Sequence, residues 1–349
     1  MEYRPLGRSG LEVSAVCLGT MTFGEQNTEA EGHAQLDRAL ERGVTFLDAA
    51  ELYPIPPKAE TQGATEAIIG SWLRARPGVR EKVVIASKVC GRGENTWFRD
   101  DGAPTELSRR QIEEAVDKSL KRLGTDRIDL YQLHWPDRAV AAFGSNPTIF
   151  RPAEGPEHPI ADILGVLGDL VTAGKIRHVG LSNESAWGTM RFIAESEARG
   201  LPRVQSVQNA YSLMNRTFEI GLGEVAMREG VGLLAYSPLA QGYLTGKYRD
   251  GARPRGSRKQ LFDRLQRYEK PEAAAPLAAY LNLAAESGLD PARMALAFVH
   301  SRPFVTATII GATTLAQLDA DLDAFEAPLP ADVVAAIDAI HLRHQNPCP

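Results

Sequence analysis

Four polar side chains close three consecutive apolar runs of this chain, and their types fit acid–base work at a carbonyl. Phe46-Leu47-Asp48-Ala49-Ala50 ends one run and leads to Tyr53, Ala86-Ser87-Lys88 ends the next, and Tyr131-Gln132-Leu133-His134 ends the third. Neighbouring strands lie ~4.8 Å apart, so Asp48, Tyr53, Lys88 and His134 are expected to converge at one end of a sheet. A lysine closing an apolar run is the firmest of the four signals, because buried lysines are rare unless paired. Taken singly, Asp48 fits a turn cap, His134 a satisfied core histidine and Tyr53 an ordinary core residue. Their convergence carries the reading. A free tyrosine has a pKa of about 10 and donates a proton poorly at pH 7. A cation within hydrogen-bond distance lowers it by roughly 1–3 units. Lys88 is expected to supply that field, with Asp48 holding the lysine and His134 orienting the substrate oxygen. Tyr53 then serves as general acid in reduction and general base in oxidation. A proton at oxygen must be matched by a hydride at carbon, which no side chain provides, so a cofactor is required.

The elements that must position these groups are legible as period and punctuation. Eight short apolar runs rich in β-branched residues, at 16–19, 45–50, 83–89, 128–134, 176–182, 204–208, 231–237 and 306–311, read as strands buried on both faces. Amphipathic stretches separate them at 29–42, 64–75, 109–123, 160–173, 185–199, 219–229, 272–287 with 291–301, and 315–324. Capping boxes are expected at Thr28…Glu31, Ser108…Gln111 and Thr314…Gln317, and left-handed helix ends at Gly43, Gly124, Gly174, Gly200 and Gly230. Eightfold strand–helix alternation predicts an α/β fold of the (β/α)8 TIM-barrel type over residues 1–349, taken as one domain. An open doubly wound sheet would bring a G-x-G-x-x-G turn, which is absent, and Gly242…Gly246-Lys247-Tyr248 has the wrong spacing for a phosphate loop. Before the first strand, runs at 3–6 and 11–14 flank Gly7-Arg8-Ser9-Gly10, a predicted hairpin able to plug the N-terminal mouth. Two long connections, 137–159 and 238–270, belong on the C-terminal face, where barrel active sites lie.

Composition sets the outer bounds. Of 349 residues, 44% are hydrophobic and 24% charged, which is globular rather than disordered. Thirty-nine Lys+Arg against 44 Asp+Glu give a net charge of -5, against nucleic acid as a partner. The polar opening lacks the apolar core of a signal peptide, and nothing approaches the ~18 apolar residues of a membrane span. Cys17, Cys90 and Cys348 are few and far apart, so a reduced, cytoplasmic protein without a metal site is expected. His341…His344…Cys348 has near-ligand spacing but reads as a polar, poorly ordered terminus.

In order along the chain, Leu18-Gly19-Thr20-Met21, Leu47-Asp48-Ala49-Ala50-Glu51-Leu52-Tyr53, Ala86-Ser87-Lys88, Leu133-His134-Trp135, Gly180-Leu181-Ser182-Asn183, Gln208-Asn209, Ala235-Tyr236-Ser237-Pro238-Leu239 and Gly311-Ala312-Thr313-Thr314 resemble the aldo-keto reductases. The extended Tyr53-Pro54-Ile55-Pro56-Pro57…Glu60-Thr61-Gln62-Gly63 is similar to the Tas-like bacterial branch. The resemblance implies Asp48, Tyr53, Lys88 and His134 as a catalytic tetrad. It implies NADP(H) as cofactor, with the nicotinamide against Tyr236 and its carboxamide at Ser182, Asn183 and Gln208. Gly19 and Thr20 belong to the same implied set, as do Ser237, Pro238, Leu239 and Gln241 near the pyrophosphate and Lys247 at phosphate. Arg258 would fold over the adenosine phosphate, and Gly311, Thr313, Gln317 and Asp321 would hold the adenosine side. Basic Lys247 and Arg258 favour NADPH over NADH. This chain departs from the usual pattern at Ala49 and Pro54, where Thr and Gly are common, and at Ala320 and Asp321, where Glu and Asn are.

Met21, Trp97, Phe98 and Trp135 are expected to face a small carbonyl substrate, so apolar or aromatic aldehydes and ketones are the expected class. Potassium-channel β subunits, members of the same family with a regulatory role, resemble this chain at Gly246-Lys247-Tyr248 and Gly311-Ala312-Thr313-Thr314. A cofactor-binding regulatory subunit is therefore the alternative. Those subunits lack the histidine retained here as His134, which favours an enzyme.

Overall fold

The protein is described by a computed structural model covering residues 1–140, 149, 154–264 and 266–349. Part of the predicted 137–159 connection therefore lies outside the described residues. Strands β1 (Tyr3–Pro5) and β2 (Glu12–Ser14) form an antiparallel hairpin, with Arg4 opposite Val13. Then come β3 (Val16–Gly19), α1 (Glu29–Glu41), β4 (Phe46–Asp48), α2 (Ala64–Ala75), β5 (Val84–Val89), α3 (Arg109–Leu123) and β6 (Ile128–Leu133). The second half runs α4 (Ile160–Thr172), β7 (Ile176–Ser182), α5 (Ala186–Arg199), β8 (Val204–Ala210), α6 (Leu222–Glu229) and β9 (Gly232–Tyr236). It ends with α7 (Arg258–Phe262), α8 (Ala274–Glu286), α9 (Pro291–His300), β10 (Val305–Ile310), α10 (Leu315–Asp323) and α11 (Ala331–Arg343). Strands β3 to β10 close into a parallel barrel in sequence order, β10 pairing β3. The predicted (β/α)8 barrel with its N-terminal hairpin is the observed architecture.

Alternation along each strand sorts side chains between two apolar layers. Cys17, Phe46, Ala86, Leu130, Leu234 and Ala307 fill the interior together with Leu6 and Val13 of the hairpin, which thus plugs the barrel. The plug is close-fitting: Gly7, at φ +58, leaves no room for a Cβ, which would stand 2.4 Å from the Gln205 carbonyl oxygen. Leu47, Ile85, Tyr131 and Val179 point outward onto Trp72, Ile112, Leu164 and the other helical core residues. The same alternation sends Lys88, next but one after Ala86, inward at the barrel's C-terminal end.

Local signals match in part. The capping box at Thr28 is complete, each partner satisfying the other's backbone amide. At α10 it is half formed: Thr314 accepts from Gln317 N, but Gln317 Oε1 turns to Thr313 N at 3.0 Å. At α3 neither half of the box forms: the Ser108 side chain makes no cap bond, and Gln111 Oε1 accepts instead from Glu106 N at 3.0 Å and Arg99 Nε at 3.1 Å. All five predicted glycines do take positive φ.

The chain end corrects the expectation of a poorly ordered tail. Residues 331–343 are helical, Val333 and Ile337 are buried, and Cys348 is fully enclosed. Arg216 binds Asp338 at 2.7 Å and Cys348 N donates to Met214 O, so this segment packs against the loop after β8. The three cysteines are buried and unpaired. Among the described residues no helix is long and apolar enough to cross a membrane.

Candidate active site

Parallel register brings the ends of β4, β5 and β6 level at the C-terminal mouth: Asp48 sits beside Gly19 and Ala86, and Lys88 beside Gln132. Lys88, wholly buried, donates to Asp48 Oδ2 at 2.7 Å, to the Ala49 carbonyl at 2.8 Å and to the Tyr53 hydroxyl at 3.3 Å. Asp48 is held from its other oxygen by Gln208 Nε2 at 2.8 Å. The His134 ring meets the Tyr53 ring edge-on, centroids 5.7 Å apart. The four predicted residues are therefore one cluster.

Its electrostatics differ from the sequence-based expectation in one respect. Burial raises the Tyr53 phenol above its ordinary pKa, and although Lys88 pulls the other way, burial wins. The predicted downward shift is thus corrected: the lysine's field is present but outweighed by desolvation. For Lys88, burial opposes the charge, but Asp48 and Tyr53 together outweigh it and raise its pKa, so the ammonium persists at neutral pH. Burial, helped by Lys88, pushes His134 well below the usual histidine range, leaving a neutral ring whose Nδ1 has no hydrogen-bond partner.

A cleft of about 1760 Å³ opens from this cluster. Asp48, Tyr53 and His134 line it, and so do Gly19, Ser182, Asn183, Gln208 and Tyr236. Asn183, at φ 52, donates to the His134 carbonyl at 2.8 Å and accepts from the Tyr236 hydroxyl at 2.7 Å. Ser182 Oγ donates to the Gln208 carbonyl at 2.8 Å. Beyond Tyr236 the wall consists of Ser237, Pro238, Leu239 and Gln241. Ser237, Ala240 and Gln241 all have positive φ, an uncommon run for residues with a Cβ, of the kind that gathers at functional sites.

The far end is cationic. Lys247, over the Tyr248 ring at 5.3 Å, and Arg258, at the start of α7, face Gly311, Thr313 and Gln317. Burial lowers the pKa of Lys247, and the like charge of Arg258 lowers it further. Asp321 also lines this end, and burial raises it to about 7 despite Lys247. Gln26 Nε2 ties the β3–α1 loop to the Gly256 carbonyl at 2.8 Å, holding the connection that carries Arg258 across the cleft.

Three predicted residues fall elsewhere. Thr20 is fully buried behind the site, its hydroxyl committed to the Asp48 carbonyl at 2.8 Å. Trp97 is exposed and stacks on Phe98, which is buried, and neither is among the cleft-lining residues. The chain turns there because Arg99 is drawn inward to Glu51. Met21 and Trp135 do line the cleft, beside Leu52 and Ile55. Sequence reasoning missed Asn27, which is buried at the cleft wall with its Oδ1 unpartnered while its Nδ2 donates to the Thr313 carbonyl. No spacing signal marks it, because its partner is 286 residues away.

A closed parallel barrel whose C-terminal mouth gathers an ion-paired lysine, a tyrosine and a histidine has its candidate site where barrel enzymes have theirs. The profile of the Aldo/keto reductase family matches residues 15–342, and the chain belongs to that family of oxidoreductases. It is 49% identical to Protein tas of Escherichia coli (strain K12) over all of both chains. It is 30% identical to L-glyceraldehyde 3-phosphate reductase of the same strain, over 93% of this chain and 87% of that one. It is also 30% identical to a putative voltage-gated potassium channel subunit beta of Schizosaccharomyces pombe, over 97% and 92%.

Proposed function

We propose that this protein is an NADPH-dependent reductase of aldehydes and ketones, with Tyr53 as the proton donor. The observation that carries the reading is the Asp48–Lys88–Tyr53 chain of contacts at 2.7 and 3.3 Å, opening on a cleft with a cationic far end. Tyr53 is securely protonated at neutral pH and is an acid ready to donate. The phenolate left behind is stabilised by the ammonium at 3.3 Å, which Asp48 keeps oriented. His134, a neutral ring on the cleft wall set edge-on to Tyr53, orients the carbonyl oxygen towards the phenol.

The residues present fit a nicotinamide dinucleotide. Drug-sized sites occupy ~300–1,000 Å³, and a cleft of about 1760 Å³ has room for a dinucleotide and a small substrate together. Tyr236 offers a ring face, Ser182, Asn183 and Gln208 offer amide-matching polar atoms, and Lys247 with Arg258 offers charge for a phosphate. When bound, the reduced cofactor supplies the hydride. Lys247 and Arg258 support NADPH over NADH, and Thr313 and Gln317 support an anion at the N-terminus of α10. Substrates are apolar or aromatic carbonyls, a reading supported by Met21 and Trp135 beside Leu52 and Ile55. Unpaired buried cysteines support a reduced, cytoplasmic setting. The test is nicotinamide absorbance followed with NADPH and with NADH across a panel of aldehydes and ketones. Consumption of NADPH dependent on a carbonyl is the expected result; none with any member of the panel would remove the reading.

A further inference from the structure

Between Asp48 and Tyr53 lies Glu51, a carboxylate with 1% side-chain exposure that touches neither the cleft nor the proton donor. It accepts from both terminal nitrogens of Arg99, at 2.8 and 2.9 Å, and from the backbone amide of Cys90 at 2.8 Å. The Arg99 side chain has no exposure, and its Nε donates to Gln111 at 3.1 Å. Gln111 itself is pinned by Pro104 O and Glu106 N. The backbone of Glu51 is tied as well: its amide donates to the Lys88 carbonyl at 3.2 Å and its carbonyl accepts from Gln62.

A fully buried ion pair is a weak means of stabilisation, since apolar residues of similar volume often do as well or better. What this pair does have is position. Cys90 is two residues beyond Lys88 and Tyr53 two beyond Glu51, so the Glu51–Cys90 bond joins the two short segments that carry the lysine and the phenol. Arg99 fixes the carboxylate from the far side. We propose that Glu51 and Arg99 are positioning residues that set the separation of the Tyr53 hydroxyl and the Lys88 amine. This rests on the reading of Tyr53 as proton donor, because only then does the separation govern a rate.

Arg99→Lys keeps the charge but loses the two-point grip, and the double variant Glu51→Gln/Arg99→Gln removes both charges should the first fold poorly. Crystal structures of the ligand-free variants are expected to have the Tyr53–Lys88 contact lengthened beyond 3.3 Å. With a carbonyl and NADPH, kcat is expected to fall about 10–100-fold while the Kd for NADPH stays within about twofold, since neither residue lines the cleft. The basic limb of the pH–rate profile is expected to move in parallel. A folded variant that keeps the 3.3 Å contact overturns the proposal, as does a loss of kcat that merely follows a loss of NADPH affinity. Tyr53→Phe separates the two claims: full activity there sinks the proton-donor reading, while the crystallographic separation still decides the role of Glu51 and Arg99.

Discussion

Tyr53 stands between two opposed influences, burial that keeps its proton on and an ammonium 3.3 Å away that favours its leaving. Removing the hydroxyl takes away the proposed donor and leaves the ring on the cleft wall, so Tyr53→Phe is expected to cut carbonyl reduction by about 10²–10⁴-fold, the usual worth of a positioned acid. NADPH affinity, read by fluorescence quenching, should stay nearly unchanged; turnover of a reactive aldehyde at the parent rate would contradict the assignment. Arg258 answers a different question. A charge-assisted contact to a phosphate is worth ~1.5–3 kcal/mol, so Arg258→Ala is expected to weaken NADPH about 10–100-fold and NADH far less. Equal losses in the two Kd values would remove it from the 2′-phosphate, the one group the two cofactors do not share. Asp48, Lys88 and His134 were legible because polar groups ending apolar runs are conspicuous and strand register does the rest. Trp97 and Phe98 misled because a ring in a connection carries no directional signal. Their orientation follows from Arg99 reaching Glu51 48 residues away, a pairing no local pattern announces.

The strands and most helices followed from period alone, since a barrel strand buried on both faces and an amphipathic helix leave different signatures. What period does not report is how closely two helices approach. Gly70 in α2 lies against the end of α3, where a Cβ would stand 2.2 Å from the Arg122 carbonyl oxygen and 2.8 Å from Leu123 backbone atoms. Gly70→Ala is therefore expected to push α2 and α3 apart and destabilise the protein by about 1–3 kcal/mol, as overpacking does. The control is Gly165→Ala in α4, where a Cβ would meet nothing within 4 Å. That substitution gains helix propensity of up to ~1 kcal/mol. Opposite shifts in Tm are the expected outcome, and a Gly70→Ala protein as stable as its parent would mean the helices are not in contact as described. Helix α11 escaped the sequence reading for a related reason. Its histidine-rich end looks solvated, and its burial depends on elements distant in sequence: it packs against α8, and Arg216 of the loop after β8 binds its Asp338.

At the scale of the whole molecule, folding encloses one carboxylate at a cost that pH controls. Asp321 has a raised pKa, about 7 in the fold against 3.8 in an unfolded chain, chiefly through burial, with Asp290 adding to it and Lys247 opposing. Between those values the folded protein holds a proton that the unfolded chain releases, so this group's contribution is fully present below about pH 4 and is lost as pH rises to 7. At ~1.4 kcal/mol per unit, the ceiling on that loss is about 4 kcal/mol. Asparagine has nothing to release, so Asp321→Asn is expected to be more stable than the parent at pH 8. That advantage should shrink towards zero near pH 4.5. Denaturant unfolding of both proteins across this range, in buffer free of phosphate and nucleotide, gives the difference directly and cancels the acid sensitivity of every other carboxylate. A stability difference that does not change with pH would mean that Asp321 is ionised throughout, and that the cationic end of the cleft already carries a compensating charge.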